Sequence, residues 1–356
     1  MIATTVKPPA SIAELLPPEL AAQLDAVDIL SRKLLTGKLQ GERRGKRRGR
    51  SVEFDDYRPY VPGDDLRHID WNVLARFDRF FIKLFQEEED LSLDIMLDCS
   101  ASMHAGQPDK MLFAARLASA LGYLGLVHNN RVSITCFGAR FPGGPTAATA
   151  NSSAPAAAGL PLRRLEPVRG RRNTQRLVDF ILQHAFVPPP AASRDAPAAM
   201  LDQAVRAVAG SPRGAKGVLV LISDMLIPPG TTGTPGYQSA IRTLAAAGRK
   251  GGGGTGYDAY ILQTLAPAEL DPSAPSGGSM PSLVGDLRLT DAETGRAAEL
   301  TVAGDLVASY RKAVAAFNQS LSSFCTARGI SHLTVPTDIE VASLVLGLLR
   351  RRGMVG

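Results

Sequence analysis

Residues 91–103, LSLDIMLDCSASM, decide how this chain reads. The first seven form a short, mainly apolar run with polar residues beyond it, the pattern of a buried strand. The run ends in Asp98, Ser100 and Ser102, each two residues apart, and a helical pattern resumes near Lys110. Asp-x-Ser-x-Ser is therefore expected on the loop between the carboxyl end of a strand and the next helix. One carboxylate and two hydroxyls offer hard oxygen donors and no soft ones, the set preferred by Mg²⁺ or Mn²⁺. The same residue types also cap helix N-termini, so the motif by itself fits either an ion site or a helix start.

A second strand repeats the logic. Residues 217–223, GVLVLIS, are wholly apolar up to Ser223 and lead into Asp224. In an open parallel α/β sheet, ligands bind beyond the carboxyl ends of the strands, where strand order reverses. Two strands that both end in Asp suit the two sides of that crevice, with Asp98 and Asp224 facing one ion. This requires that the two acids converge and that no basic side chain fills the space between them.

From residue 91 onward, strand and helix patterns alternate. Strands are expected at 91–97, 131–137, 217–223, 258–265 and 331–335. Helices are expected at about 109–128, 174–184, 196–209, 235–249, 303–328 and 338–351. Alternation of this kind implies an α/β fold, a mainly parallel sheet with helices on both faces. In the long late helix, Leu306, Tyr310, Val314, Phe317, Leu321 and Phe324 form a stripe expected to be buried. Segments 138–160 and 188–198 read as irregular links. The insertion 266–302 begins Pro/Ser/Gly-rich and ends in two short strands around a turn at 291–295. No internal repeat is present.

Two segments precede this core. In residues 1–50, Leu20, Leu24, Val27, Leu30 and Leu34 predict a helix of about five turns from Pro18 to just before Gly37. The basic run 43–50, RRGKRRGR, follows. Residues 51–90 form a separate, β-containing block. In it a Pro62-Gly63 turn leads to a short helix with Asp64 and Asp65 in its first turn. A strand is expected near 79–86, and the acids 87–90 read as a solvated turn.

The 356 residues are 45% hydrophobic and 21% charged, an ordinary globular composition, with a net charge of +6. The basic run breaks at glycines and has no interleaved aromatics, so base stacking is not suggested, and a solvated basic linker that can dock an acidic protein surface is favoured over a nucleic-acid or anionic-membrane patch. Cys99, Cys136 and Cys325 form no motif and read as buried thiols in a reducing compartment. Zinc is not indicated, because no Cys or His pair has ligand spacing. No P-loop is present, since the glycines at 251–254 lack the Lys and Ser/Thr that must follow. No leader or membrane-span pattern is seen, and the chain is read as cytoplasmic.

Three features together resemble one bacterial family: YVPGDDLRHIDW (60–71), DCSASM (98–103) and LISD (221–224), with the tail 285–353. The family is one of von Willebrand factor A-like proteins of unknown function, whose genes commonly sit beside those of MoxR-type AAA+ ATPases. The resemblance implies a Rossmann-like sheet with a metal-ion-dependent adhesion site. Asp98, Ser100 and Ser102 would hold the ion directly or through water, Asp224 would act from the neighbouring strand, and a partner's carboxylate would take the open position. Such sites usually add a Thr, expected here near 197–201, where this chain reads PAAML. Thr174 and Ser193 are the nearest hydroxyls and neither has the expected context. The cluster Asp64, Asp65, Arg67, Asp70 and Trp71 belongs to the family pattern; a structural role is expected, with charge pairs and a buried Trp pinning the extra block onto the sheet, and a direct partner contact is the alternative.

The function expected on this basis is a non-enzymatic, Mg²⁺- or Mn²⁺-dependent adaptor. It would join a MoxR-type AAA+ ATPase to a client protein during complex assembly or maturation. The alternatives are a Mg²⁺-dependent hydrolase, for which His104 is the lone nearby candidate acid or base, and an anionic-surface or nucleic-acid binder using 43–50.

Overall fold

The computed structural model describes residues 8–9, 11–29, 54–62, 64, 66–85, 91–106, 108–139, 162–187, 196–209, 217–227, 235–247, 257–273, 285–291, 297–302 and 304–355. The basic run 43–50, the acids 87–90, residues 140–161 and 188–195, the glycines 251–254 and the turn at 292–296 lie outside them. The chain forms two compact units, Met1–Lys38 with Leu91–Gly356, and Leu39–Asp90.

The N-terminal segment differs from the single long helix that its periodicity predicts. Its described residues form α1 (Ile12–Leu15) and α2 (Pro18–Leu24), with no helix over 25–29, while Leu30 and Leu34 lie outside the described residues. Asp25 accepts a hydrogen bond from the Tyr123 hydroxyl at 2.6 Å and pairs with Arg171 at 3.2 Å. Asp28 accepts from the Ile29 N–H, and Ile29 then forms an antiparallel bridge with Val355. Leu24, Val27 and Ile29 still reach one core, so tertiary contacts override helical propensity here.

In the smaller unit, β1 (Phe54–Pro59) pairs antiparallel with β2 (Phe81–Phe85), and α3 (Trp71–Phe77) lies between them in sequence. Asp70 is the N-cap of α3. Its Oδ1 accepts from the N–H groups of Asn72 (2.9 Å) and Val73 (3.3 Å). Its Oδ2 accepts from the Tyr57 hydroxyl at 2.8 Å and pairs with Lys83 at 3.0 Å. Lys83 first, and then Tyr57, hold this carboxyl down at about 2. Asp64 pairs with Arg58 at 2.9 Å and accepts from the Val61 N–H. These acids of the family pattern thus brace their own unit.

Trp71 is not the buried anchor expected. It is 62% exposed on a helix without a buried residue, because the cap at Asp70 and the β1–β2 ladder already fix α3. Trp71→Ala is accordingly expected to change stability by no more than about 0.5 kcal/mol in a urea titration. Truncating a buried aromatic costs about 3–5 kcal/mol, and a loss of that size would restore the anchor role.

The larger unit contains β3 (Ser92–Asp98), α4 (Lys110–Val127), β4 (Arg131–Phe137), β5 (Leu162–Val168), α5 (Thr174–Ala185) and α6 (Ala196–Ala209). It continues through β6 (Gly217–Ser223), α7 (Gln238–Ala247), β7 (Asp258–Leu265), α8 (Pro267–Leu270), and β8 (Gly285–Thr290) paired antiparallel with β9 (Ala297–Val302). It ends with α9 (Gly304–Thr326), β10 (Ser331–Pro336) and α10 (Val341–Ser343), which runs on as π-helix over Leu344–Leu349. The six-stranded sheet has the order β10-β7-β6-β3-β4-β5. All its pairings are parallel except β4 with β5.

Strand periodicity sorts the apolar side chains to two faces. Leu93, Ile95 and Leu97 join Val218, Val220 and Ile222 in a core with α4 and α5. Met96, Leu219 and Leu221 join a second core with α6, α7 and α9. This is the expected α/β architecture, a central mostly parallel sheet with helices on both faces.

Three features depart from the sequence reading. Edge strand β5, LRRLEPV, is too polar and too interrupted by Arg to register as a strand. Helix α8 lies within a stretch that reads as irregular. In α9 only Val307, Leu321 and Cys325 are buried, while Leu306 and Tyr310 are exposed. The N-terminal part of α9 serves polar contacts instead: Tyr310 donates to the Glu269 carbonyl, and Arg311 pairs with Asp271. Among the described residues, α4 is long and apolar enough to span a membrane by composition, but it is a core helix with 83% of its residues buried inside the unit. All three cysteines are buried and free.

Candidate functional site

Strand order reverses between β3 and β6. From β3 the chain moves to β4 and β5 on one side, and from β6 to β7 and β10 on the other. The parallel register sets Leu97 opposite Ile222, so Asp98 and Ser223 emerge together at the carboxyl ends. Asp98, Ser100 and Ser102 are all buried there. Asp98 Oδ1 accepts from the Ser100 N–H at 3.0 Å, and its Oδ2 accepts from the Ser223 hydroxyl at 2.6 Å. The Ser100 and Ser102 hydroxyl oxygens lie 3.2 Å apart. The Cys99 N–H donates to the Phe137 carbonyl and ties the loop to the end of β4. Gly138, at φ +88°, closes the far wall, where a Cβ would stand 2.9 Å from Ser100 N and 3.1 Å from Asp98 Oδ1. Only glycine combines that backbone with that clearance.

Asp224 is held just as firmly. Its Oδ1 accepts from the Leu226 N–H at 3.1 Å, and its carbonyl accepts from Gln263 Nε2 at 3.1 Å. Its Oδ2 belongs to Lys110, whose Nζ stands 2.9 Å away. Lys110 is the first residue of α4 and is completely buried. Its Nζ also donates to Glu269 Oε1 at 2.6 Å, and Glu269 Oε2 accepts from the Ala266 N–H that starts α8. The sequence reading missed both Lys110 and Glu269. A signal exists for each: a cation in the first turn opposes the helix dipole, and Ala266-Pro267-x-Glu269 has Pro at N1 and Glu at N3 of a helix.

Burial first, and then the Asp224 charge, push the Asp98 carboxyl up to about 6 against the pull of its serine hydrogen bonds. Burial also raises Glu269, against the pull of Lys110. Burial alone would lower Lys110, but Asp224 and Glu269 outweigh it and raise it. Asp98 feels the charge of Asp224, but a buried ammonium occupies Asp224 Oδ2, so the expectation that both acids face one ion with no basic side chain in the way is not met at Asp224. Asp224 and Glu269 share the one Lys, which leaves that group with one net negative charge, and Asp98 stands close enough to feel Asp224.

Among the described residues, no group of three or more His, Cys, Asp or Glu side chains is placed to hold a metal. Any ion here must rely on hydroxyls beside Asp98. Neighbouring corners of an octahedron with Mg–O bonds of about 2.1 Å lie about 3 Å apart. The two serine hydroxyls, hydrogen-bonded to each other at 3.2 Å, have their oxygens near that spacing, so the 98–102 loop groups hard oxygen donors of the kind Mg²⁺ or Mn²⁺ takes. No hydroxyl is supplied from 197–201, which lie in α6. Thr174 opens α5, where its hydroxyl donates to the Arg171 carbonyl, and Ser193 lies outside the described residues. His104 hydrogen-bonds the Cys99 backbone. Burial lowers its pKa, and its Nε2 is buried without a partner among the described residues.

The family described as "protein of unknown function DUF58" matches residues 56–250, more than half of the chain. The chain belongs to this family. Uncharacterized proteins of Mycobacterium bovis and Mycobacterium tuberculosis are each 26% identical to it over 341 residues, covering 94% of this chain and 91% of theirs. Among solved structures, an aerotolerance-related membrane protein from Bacteroides fragilis is similar at 13% identity and TM-score 0.37, over 74% of this chain and 98% of that one. The DUF58 match spans β3, β4, β5 and β6 and so includes Asp98, Ser100, Ser102 and Asp224.

Proposed function

We propose that this DUF58 protein is a non-enzymatic, metal-ion-dependent protein interaction module with a von Willebrand factor A-like core. The observation that carries the reading is one buried carboxylate set beside two hydroxyls 3.2 Å apart, at the reversal of strand order. Asp98, Ser100 and Ser102 would hold Mg²⁺ or Mn²⁺. When bound, the ion supplies a positive, directional contact for an acidic side chain of a partner. Ser223 and the Ser100 N–H fix the Asp98 rotamer, and Gly138 leaves the space above it clear. Asp224 contributes negative potential rather than a free oxygen pair. The partner proposed from the family resemblance is a MoxR-type AAA+ ATPase, with a client protein, in a cytoplasmic assembly or maturation step.

Mn²⁺ titration of the full chain, followed by loss of the free-ion EPR signal, tests the site. Asp98→Asn and Ser100→Ala are each expected to weaken binding about 10- to 100-fold. Retention of the ATPase on the immobilised chain in Mg²⁺, and its release by chelator, is the expected companion result. Retention that chelator and Asp98→Asn both leave unchanged removes the ion from the mechanism.

A further inference from the structure

We infer that Lys110 is a resident cation that withholds Asp224 from the bound ion, so that the ion is held firmly only when a partner's carboxylate joins it. This rests on the metal-site reading above and concerns how that site is regulated. The ammonium is completely buried and divided between Asp224 Oδ2 at 2.9 Å and Glu269 Oε1 at 2.6 Å. The loop at Gly106, φ +96°, lies beside its stem: a Cβ there would stand at contact distance from Lys110 Cγ, 3.7 Å, and would clash with Ala266 Cβ at 2.7 Å. Asp224 is fixed on its other side by the Leu226 N–H.

The division of charge follows from these contacts. Asp224, Glu269 and Lys110 form one group with a single net negative charge. The ion is left with one carboxylate, Asp98, and two neutral hydroxyls. Three protein oxygens leave three corners of an octahedron to water. With Asp224 tied to Lys110, Asp98 would be the one charged side chain able to touch a divalent ion directly, and an acidic side chain from a partner would supply a second charged oxygen. Ion and partner then raise each other's affinity by the same factor, as linkage demands. An open Asp224 would instead store the ion tightly without any partner.

The test releases Asp224 without changing the charge of the cluster. Lys110→Gln with Glu269→Gln removes one charge of each sign and keeps a hydrogen-bond donor beside Asp224. Mn²⁺ titration by EPR is expected to show at least about tenfold tighter binding than the unmodified chain, the scale on which coordination-shell changes act. Detectable binding in the double variant alone also supports the inference. Equal affinity in both overturns the inference and leaves the metal site standing, whereas binding in neither overturns both. If the double variant does not fold, Glu269→Gln alone supplies the second arm. Lys110 then gives its undivided charge to Asp224, and affinity is expected to fall more than about fivefold. The equal charge change Asp271→Asn, made at an acid paired with Arg311, is expected to leave it within about twofold. Matching effects of the two single changes overturn the inference.

Discussion

Lys110→Met is expected to cost about 3–5 kcal/mol of stability, a large share of the 5–15 kcal/mol typical of a domain. The side chain is completely buried, and the two carboxylates it neutralises are nearly so. Methionine fills a similar volume, so little of the loss comes from a cavity. The loss comes from two ionised oxygens left without a counter-charge in a site closed to water, since breaking a buried pair on one side costs far more than its net worth. Glu269 would respond by binding a proton, because its carboxyl is already raised by burial and loses the cation that opposes the rise. The variant should therefore recover part of the loss as pH falls. Urea unfolding at pH 7.5 and pH 5 measures both effects, and a loss below about 1 kcal/mol at pH 7.5 would mean that the ammonium is dispensable. Lys110→Gln combined with Glu269→Gln should lose less, because only Asp224 then remains charged.

How far the sequence reads ahead of the structure follows from which forces act locally. The parallel strands β3, β4, β6 and β7 were legible because burial on both faces demands unbroken apolar runs. Asp98, Ser100, Ser102 and Asp224 were legible because they stop those runs abruptly. The shared Lys was not, because Lys110 and Asp224 stand 114 residues apart and only the strand order joins them. Glu269 was hidden in a four-residue helix, too short for any periodicity to show. Edge strand β5 was hidden for the opposite reason: an edge needs charged residues to discourage further pairing, and Arg163 and Arg164 erase the apolar signal. The N-terminal helix was overestimated because Leu24, Val27 and Ile29 enter one core by a turn that mimics helical spacing. The burial of Trp71 was not legible because an aromatic beside four charged residues suits an exposed contact as well as the buried anchor favoured above, and only the cap at Asp70 shows that α3 needs no anchor.

Asp98→Asn is expected to do two opposite things, and the pair of effects separates a binding site from a structural acid. Its carboxyl sits at about 6 in the folded chain against an ordinary value of 3.8. Below pH 3.8 the group is protonated in both states and costs nothing. Between 3.8 and 6 the folded chain keeps a proton that the unfolded chain has released, so stability falls as pH rises. Above 6 the whole cost, about 3 kcal/mol, is in place. Asparagine removes that cost while still accepting from the Ser100 N–H. Without divalent ions, the variant should therefore be about 2–3 kcal/mol more stable than the unmodified chain at pH 7.5 and equal to it near pH 4. The raised carboxyls of Glu269 and Asp109 titrate in both proteins and largely cancel in the difference. Mn²⁺ narrows the gap. At 100 times its dissociation constant for the unmodified chain it stabilises that chain by about 2.7 kcal/mol, and the variant, binding about 10- to 100-fold more weakly, by only about 0.4–1.4 kcal/mol. Urea titrations at pH 4 and pH 7.5, with and without Mn²⁺, measure all four values. A variant less stable than the unmodified chain at pH 7.5 without ions would make Asp98 a structural acid, its charge satisfied by Ser223 and the Ser100 N–H alone. A variant more stable without the ion and stabilised by it less than the unmodified chain would mean that the fold bears a costly buried charge at this strand end for the sake of what binds there.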